Sequence, residues 1–212
     1  MAIQRERPGV TVEMIAVAQE RVLPKSGVVL VPYQAEWGAP DTMVRMTGYD
    51  ERVAETFAEN DVIELAAEGG ATIIGYRVTN GAAVAASYEQ PDAIRIEARY
   101  PGLRGNDLKV SISASTAEPG KQELQVVGPN STEKFSFADA AELVMKTKQS
   151  IYVRVKKLGD TDIADVSLTS LSGGVTGTAP LTSAEATKMF TAVSGADFDT
   201  MYLPFADPAV QA

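Results

Sequence analysis

The sequence predicts an α+β, multi-domain protein: a small α/β layer into which an antiparallel β-sandwich is inserted. Three observations carry this. Residues 28–78 alternate strand, helix and strand signals; residues 87–170 change to short strands with period-two apolar patterning; and a glycine-rich stretch at 171–177 leads back to a helix and a strand. The 212 residues are 45% hydrophobic, enough to bury a core in one large domain or two small ones.

Near the N-terminus, Val10, Val12 and Met14 alternate with Thr11 and Glu13 up to Ile15, which is a strand pattern. Chain ends fray, so a strand there needs a partner. Either it is an edge strand of its own domain, or it joins another subunit's sheet. Pro24, Lys25, Ser26 and Gly27 then form a soft joint before the buried strand of Val28, Val29, Leu30 and Val31. Asp50 caps a helix over 51–59 with Val53, Ala54, Phe57 and Ala58 on one face. A second helix over 62–68 stops at Gly69 and Gly70, and a strand over 71–78 carries Ile73, Ile74, Tyr76 and Val78.

Within the insert, strands are predicted over 94–100, 108–113, 123–127, 151–157 and 166–169. Ile94, Ile96 and Ala98 share one parity and Leu108, Val110 and Ile112 another, across a Pro-Gly and Gly-Asn-Asp turn, so the pair reads as a β-hairpin with one buried face. Asp139 and Glu142 form a capping box for a helix with Ala140, Leu143 and Val144 turned inward. The stretch 171–177, with Gly173 and Gly174, reads as a flexible hinge. Thr182 and Glu185 cap the next helix, whose inner face holds Ala186, Met189, Phe190 and Val193; a strand over 198–203 follows. Asp207 and Pro208 look like a helix start where the sequence stops, which reads as the N-terminal part of a longer chain. The expected units are 1–22, 23–86, 87–170 and 171–212.

Composition removes most chemistry. With no cysteine and no histidine, the chain lacks the thiolate nucleophile, the commonest general base and the commonest metal ligands. No enzyme, cofactor or metal is expected. A net charge of −9 without a basic run argues against nucleic acid, and the longest aliphatic run, 28–31, is far too short for a membrane span. No secretion signal follows the charged start, so a cytosolic origin is expected. Gly173, Gly174 and Gly177 lack the following Gly-Lys-Ser/Thr of a phosphate loop. Asp160, Asp162 and Asp165 lack the glycine and distal glutamate of a calcium loop and read as a solvated turn.

Several short motifs are more specific. Ala98, Tyr100, Pro101, Gly102, Arg104, Gly105 and Asn106 spell Ala-x-Tyr-Pro-Gly-x-Arg-Gly-Asn; residues 7–13 read Arg-Pro-Gly-Val-Thr-Val-Glu; Trp37, Gly38 and Pro40 make a Trp-Gly turn. Leu171, Gly173 and Gly174 precede a helix and a Phe198 to Pro204 segment. In this order the set resembles contractile phage tail sheath proteins, also found in phage-tail-like bacteriocins. The resemblance implies that 87–170 is the family's sandwich domain and that 171–212 opens its subtilisin-like α/β domain, a label of fold only, since a serine triad needs a histidine.

It also implies a structural subunit that polymerises around a tail tube as a helical stack of hexameric rings, meets baseplate and tail terminator proteins, and contracts to drive the tube through a cell envelope. The location implied is the virion tail, assembled in the host cytoplasm. The arm carrying Val10, Thr11, Val12, Glu13, Met14 and Ile15 would lace neighbouring subunits. Such a strand makes roughly four backbone bonds of about 0.5–1.5 kcal/mol each. Burying its three apolar side chains adds about 1.5–3 kcal/mol apiece. Ordering about eight residues costs about 1–2 kcal/mol each, so one laced arm nearly breaks even and many repeats are required. The rival reading from the residues is a carbohydrate-binding sandwich using Gly27, Trp37 and Tyr88, although the sandwich carries few aromatics.

Overall fold

The computed structural model describes residues 27–47, 63, 65–66, 72–178 and 182–203. The predicted arm at 1–22, the joint residues Pro24, Lys25 and Ser26, the helix at 51–59 and the C-terminal helix start lie outside them. Of the predicted second helix, Ile63, Leu65 and Ala66 are helical.

The strands are β1 (Val28–Tyr33), β2 (Met43–Thr47), β3 (Thr72–Arg77), β4 (Ser87–Gln90), β5 (Ile94–Ala98), β6 (Lys109–Ala114), β7 (Gln122–Val127), β8 (Thr132–Phe137), β9 (Val153–Lys157), β10 (Val166–Ser170) and β11 (Thr200–Met201). The helices are α1 (Ala140–Thr147) and α2 (Ser183–Val193).

The first sheet runs β11-β1-β3-β2. β1 is parallel to both β3 and β11, while β2 is antiparallel to β3. Parallel strands are stable when both faces are covered, and the near-continuous apolar run of β1 and β3 reflects this. On one face Leu30, Ile74 and Tyr76 meet Ala186, Met189 and Val193 of α2. On the other, Val31, Tyr33 and Ile73 pack with Ile63. The segment after 171 contributes β11, which pairs with β1 at the edge of this sheet. Phe190 departs from expectation, since it is exposed: Met189 and Val193 already fill the stripe facing the sheet.

The insert is a sandwich of β10-β6-β7-β8 and β4-β5-β9, antiparallel throughout. The hairpin predicted across 94–113 is therefore corrected. β5 lies between β4 and β9, and β6 between β10 and β7, so the two strands belong to different sheets. Ten residues with a 3-10 turn at Leu103–Asp107 separate them, far more than a tight hairpin loop uses. Their apolar faces meet across the sandwich, where Ile94, Ile96, Val110, Ile112, Leu124 and Val126 form one core.

The capping box of α2 is complete, whereas at α1 Glu142 returns to Ala138 N–H, one residue before the cap, so only the Asp139 half of that box forms. Asp139 Oδ1 accepts from Glu142 N–H at 2.8 Å and starts α1, which lies along β8 and β9. Glu185 Oε2 accepts from Thr182 N–H at 2.7 Å and starts α2.

Candidate functional site: a junction of three turns

The chain enters the sandwich through 78–86 and leaves it through 171–178, and these two connections pair with each other. Ser87 and Ser172 exchange backbone bonds of 2.8 and 3.1 Å, and Val84 and Val175 exchange two of 2.9 Å. Asn80 N–H donates to Gly177 O at 3.0 Å. The stretch read from the sequence as a hinge is paired here through isolated bridges, with Leu171 N–H bound to Leu108 O and Gly174 N–H to Asn106 Oδ1. Gly173 lies at φ 81°, a turn conformation, with open space around it. Gly27, the described residue of the predicted joint, accepts from Thr72 N–H through its carbonyl.

The turn of Tyr100 to Asn106 packs onto these paired connections. Gly102 N–H donates to Val84 O at 3.1 Å and Leu103 N–H to Thr176 Oγ1 at 3.1 Å. Gly102 needs its glycine twice over. Its φ is 143°, and a Cβ there would sit 1.9 Å from the Glu36 carbonyl oxygen. A Cβ on Gly105 would press to 3.0 Å on Ala86 and Ala98. Asn106 Nδ2 donates to Gly174 O at 3.2 Å, completing a two-bond ring with Gly174.

A third turn, after β1, closes the group. Trp37 is buried and meets Tyr100 edge to face, ring centroids 5.4 Å apart at 85°. Between the two turns lies Arg77, the last residue of β3 and fully buried. Its Nη1 donates to Gly38 O at 2.5 Å and to Pro101 O at 2.7 Å, so one guanidinium ties the Trp-Gly turn to the Tyr-Pro-Gly turn. Its Nε and Nη2 are buried without a hydrogen-bond partner. Among the described residues Arg77 forms no ion pair. Burial lowers its pKa, and the neighbouring Tyr33 acts the other way. Burial raises the pKa of Tyr33 well above the usual phenol value, with Arg77 opposing that rise.

Three of the motifs singled out in the sequence therefore converge where the α/β sheet meets the sandwich. Arg77, which sits at their centre, was missed. An arginine ending an otherwise apolar buried strand, Thr-Ile-Ile-Gly-Tyr-Arg, was the available signal, because a buried charge needs a structural reason. The chemistry of the junction is mechanical: carbonyls clamped by a guanidinium, and backbones in close approach at glycine. Trp37, which a sugar-binding reading needs at the surface, is only 5% exposed. Among the described residues no three acidic side chains cluster as a metal site; Asp160 pairs with Lys157 and Asp165 accepts from Gln122.

No protein-family model matches the chain. Over 188 residues, 86% of its length, it is 26% identical to the phage-like element PBSX protein XkdK of Bacillus subtilis strain 168. It is also 26% identical to the uncharacterized protein YqbK of the same organism, across 96% of its length. The chain spans 36% and 47% of the lengths of these two curated relatives. Among solved structures, a sheath tail protein of Desulfitobacterium hafniense superposes with a TM-score of 0.74 at 22% identity, covering 96% of this chain and 47% of that one. A sheath tail protein of Listeria innocua gives 0.73 at 23% identity, over 87% and 42%. The fold is that of sheath tail proteins, in agreement with the resemblance carried by the turns.

Proposed function

We propose that this chain is part of a contractile tail sheath subunit, a structural and non-catalytic protein that polymerises around a tail tube and shortens to drive the tube through a cell envelope. The observation that carries this reading is the convergence of three family turns at one junction, two of them clamped by Arg77, in a fold shared with sheath tail proteins. A subunit that transmits force must not shear between its own domains. The paired connections and the buried clamp supply that stiffness here, because separating the sandwich from the sheet breaks bonds in three segments together.

In this reading residues 10–15 form the strand that laces neighbouring subunits, 24–27 form the joint to that arm, and 171–212 open the subtilisin-like domain. Partners are further copies in hexameric rings, the tail tube, the baseplate and the terminator, with assembly in the host cytoplasm and residence in the virion tail. The test is imaging of tail-like particles from cells that make this protein. Antibody to the chain is expected to decorate the outer wall of the cylinders in both long and shortened forms. Particles whose walls lack the chain would sink the reading. Within decorated particles, deleting 1–15 is expected to abolish long cylinders.

A further inference from the structure

Away from the junction, between α1 and β9, an open groove of about 390 Å³ has Val144, Thr147 and Val155 as its floor and Lys148, Arg154 and Lys156 as its rim, with no acidic residue in the lining. The edge of β9 in this groove is closed to another strand. Val153 N–H donates to Ser150 Oγ at 3.0 Å and Val155 N–H to Thr147 Oγ1 at 3.3 Å, so hydroxyls already hold the outward donors of the strand. Docking here therefore runs through side chains.

The rim sets the chemistry of the occupant. Glu97, the strand neighbour of Arg154, is bound to Lys156 at 2.6 Å and lies 3.8 Å from Arg95. Lys148 and Arg154 are exposed and form no ion pair among the described residues. A guanidinium and ammonium groups around an apolar floor suit a row of glutamates, whose carboxylates meet the rim while their methylene stems cover the floor. Along the strand, Arg154 and Lys156 repeat at about 6.8 Å.

One stretch of the sequence supplies such a row. Residues 50–61 carry Asp50, Glu51, Glu55, Glu59 and Asp61 against a single base, Arg52. On the helix that the sequence predicts over 51–59, Glu51, Glu55 and Glu59 recur at about 6 Å along the axis, on a different face from Val53, Ala54 and Phe57. Both ends of this stretch are held on the α/β sheet of their own chain, where Thr47 closes β2 and Ile63 packs with Val31 and Ile73. The groove is on the sandwich. We propose that it receives the row of Glu51, Glu55 and Glu59 from a second copy of this chain. Two different surfaces then meet head to tail, the kind of contact that repeats into rings or helical stacks. The proposal rests on the reading of the protein as a self-assembling subunit, and it names one contact of that assembly.

The chain has no cysteine, so two differently tagged copies, one with Q149C beside the groove and one with T56C beside the glutamates, can be expressed together in the native setting and joined by a bismaleimide. A covalent dimer carrying both tags is expected. R154E in the first copy should reduce its yield at least tenfold, and R154K should retain it. E55R in the second copy should restore the yield against R154E, a rescue that misfolding would not produce. No mixed dimer, a mixed dimer indifferent to R154E, or linkage only to a different protein overturns the proposal. Co-sedimentation of the chain with cylinders is read in parallel: chain in the cylinders without the mixed dimer sinks this contact alone, whereas chain absent from them sinks the functional reading, and a mixed dimer lost with R154E would still support the contact.

Discussion

Asn106 and Gly174, 68 residues apart, bind each other through both ends of one amide: Oδ1 accepts from Gly174 N–H at 2.8 Å and Nδ2 donates to Gly174 O at 3.2 Å. The ring holds the turn after β5 to the chain leaving the sandwich. Gly174 is itself confined, since a Cβ there would lie 2.4 Å from the Gly102 carbonyl. Each partner thus depends on the other for its conformation.

N106A is expected to destabilise the protein by about 1–3 kcal/mol, because a buried N–H loses its acceptor. N106D keeps the acceptor but turns a carboxylate toward the Gly174 carbonyl. Its deficit should be largest near neutrality and shrink as pH falls through ~4, where the protonated acid regains a donor. Urea unfolding of both variants at several pH values tests this. An N106D deficit independent of pH would contradict the two-bond ring.

Arg77 poses a sharper choice. Replacing a buried charge by an apolar group is often neutral, and R77M also removes two unbonded N–H donors. Against this, Gly38 O and Pro101 O both lose their partner, at about 1–3 kcal/mol each, so the loss should win. R77M is expected to be destabilised by about 1–3 kcal/mol. Calorimetry should resolve the sheet and the sandwich into two transitions once the clamp is gone. One transition at the parent temperature would show that Arg77 does not couple them.

These residues also mark what the sequence could disclose. The caps at Asp139 and Thr182 were legible because the signal lies within four residues, although Glu142 returns to Ala138 N–H rather than to the Asp139 N–H of a full box. The hairpin reading failed for a physical reason. Ile94, Ile96, Val110 and Ile112 keep the same parity whether their strands pair edge to edge or face each other across a sandwich. β4 reads Ser-Tyr-Glu-Gln and has too little alternation to announce itself; its strand is set by β5 and by the bonds between Ser87 and Ser172. The strands Met43–Thr47 and Thr132–Phe137 were also passed over, the first short, the second interrupted by adjacent charges. The turn motifs were visible as words, but the arginine that joins them came from a distant strand.

Two glycines with positive φ separate strain from collision. Gly102 combines φ 143° with a blocked Cβ position, while Gly120 has φ 89° and open space. G120A should therefore cost only about 1 kcal/mol, the conformational part alone. G102A must also displace the Glu36 backbone and should cost at least about 3 kcal/mol or abolish soluble expression. Comparable melting temperatures for the two variants would refute the close approach of Gly102 to the first turn.

The last prediction concerns acid. Glu142 accepts from Lys146 Nζ at 2.8 Å and from Ala138 N–H at 2.8 Å, and Lys121 lies 3.5 Å away. The Lys146 bond first, then the Ala138 bond, lower its pKa from 4.5 to about 2. A carboxylate depressed in the folded state stabilises it above its unfolded pKa, and that contribution fades as pH falls through the folded value. E142Q should therefore melt below the parent at pH 7, with the gap closing between pH 4.5 and about 2. Because the group is partly exposed, added salt should narrow the gap at pH 7 as well. Melting curves across this range decide the matter, and a gap that stays constant down to pH 2 would mean that the charge of Glu142 does not hold the start of α1.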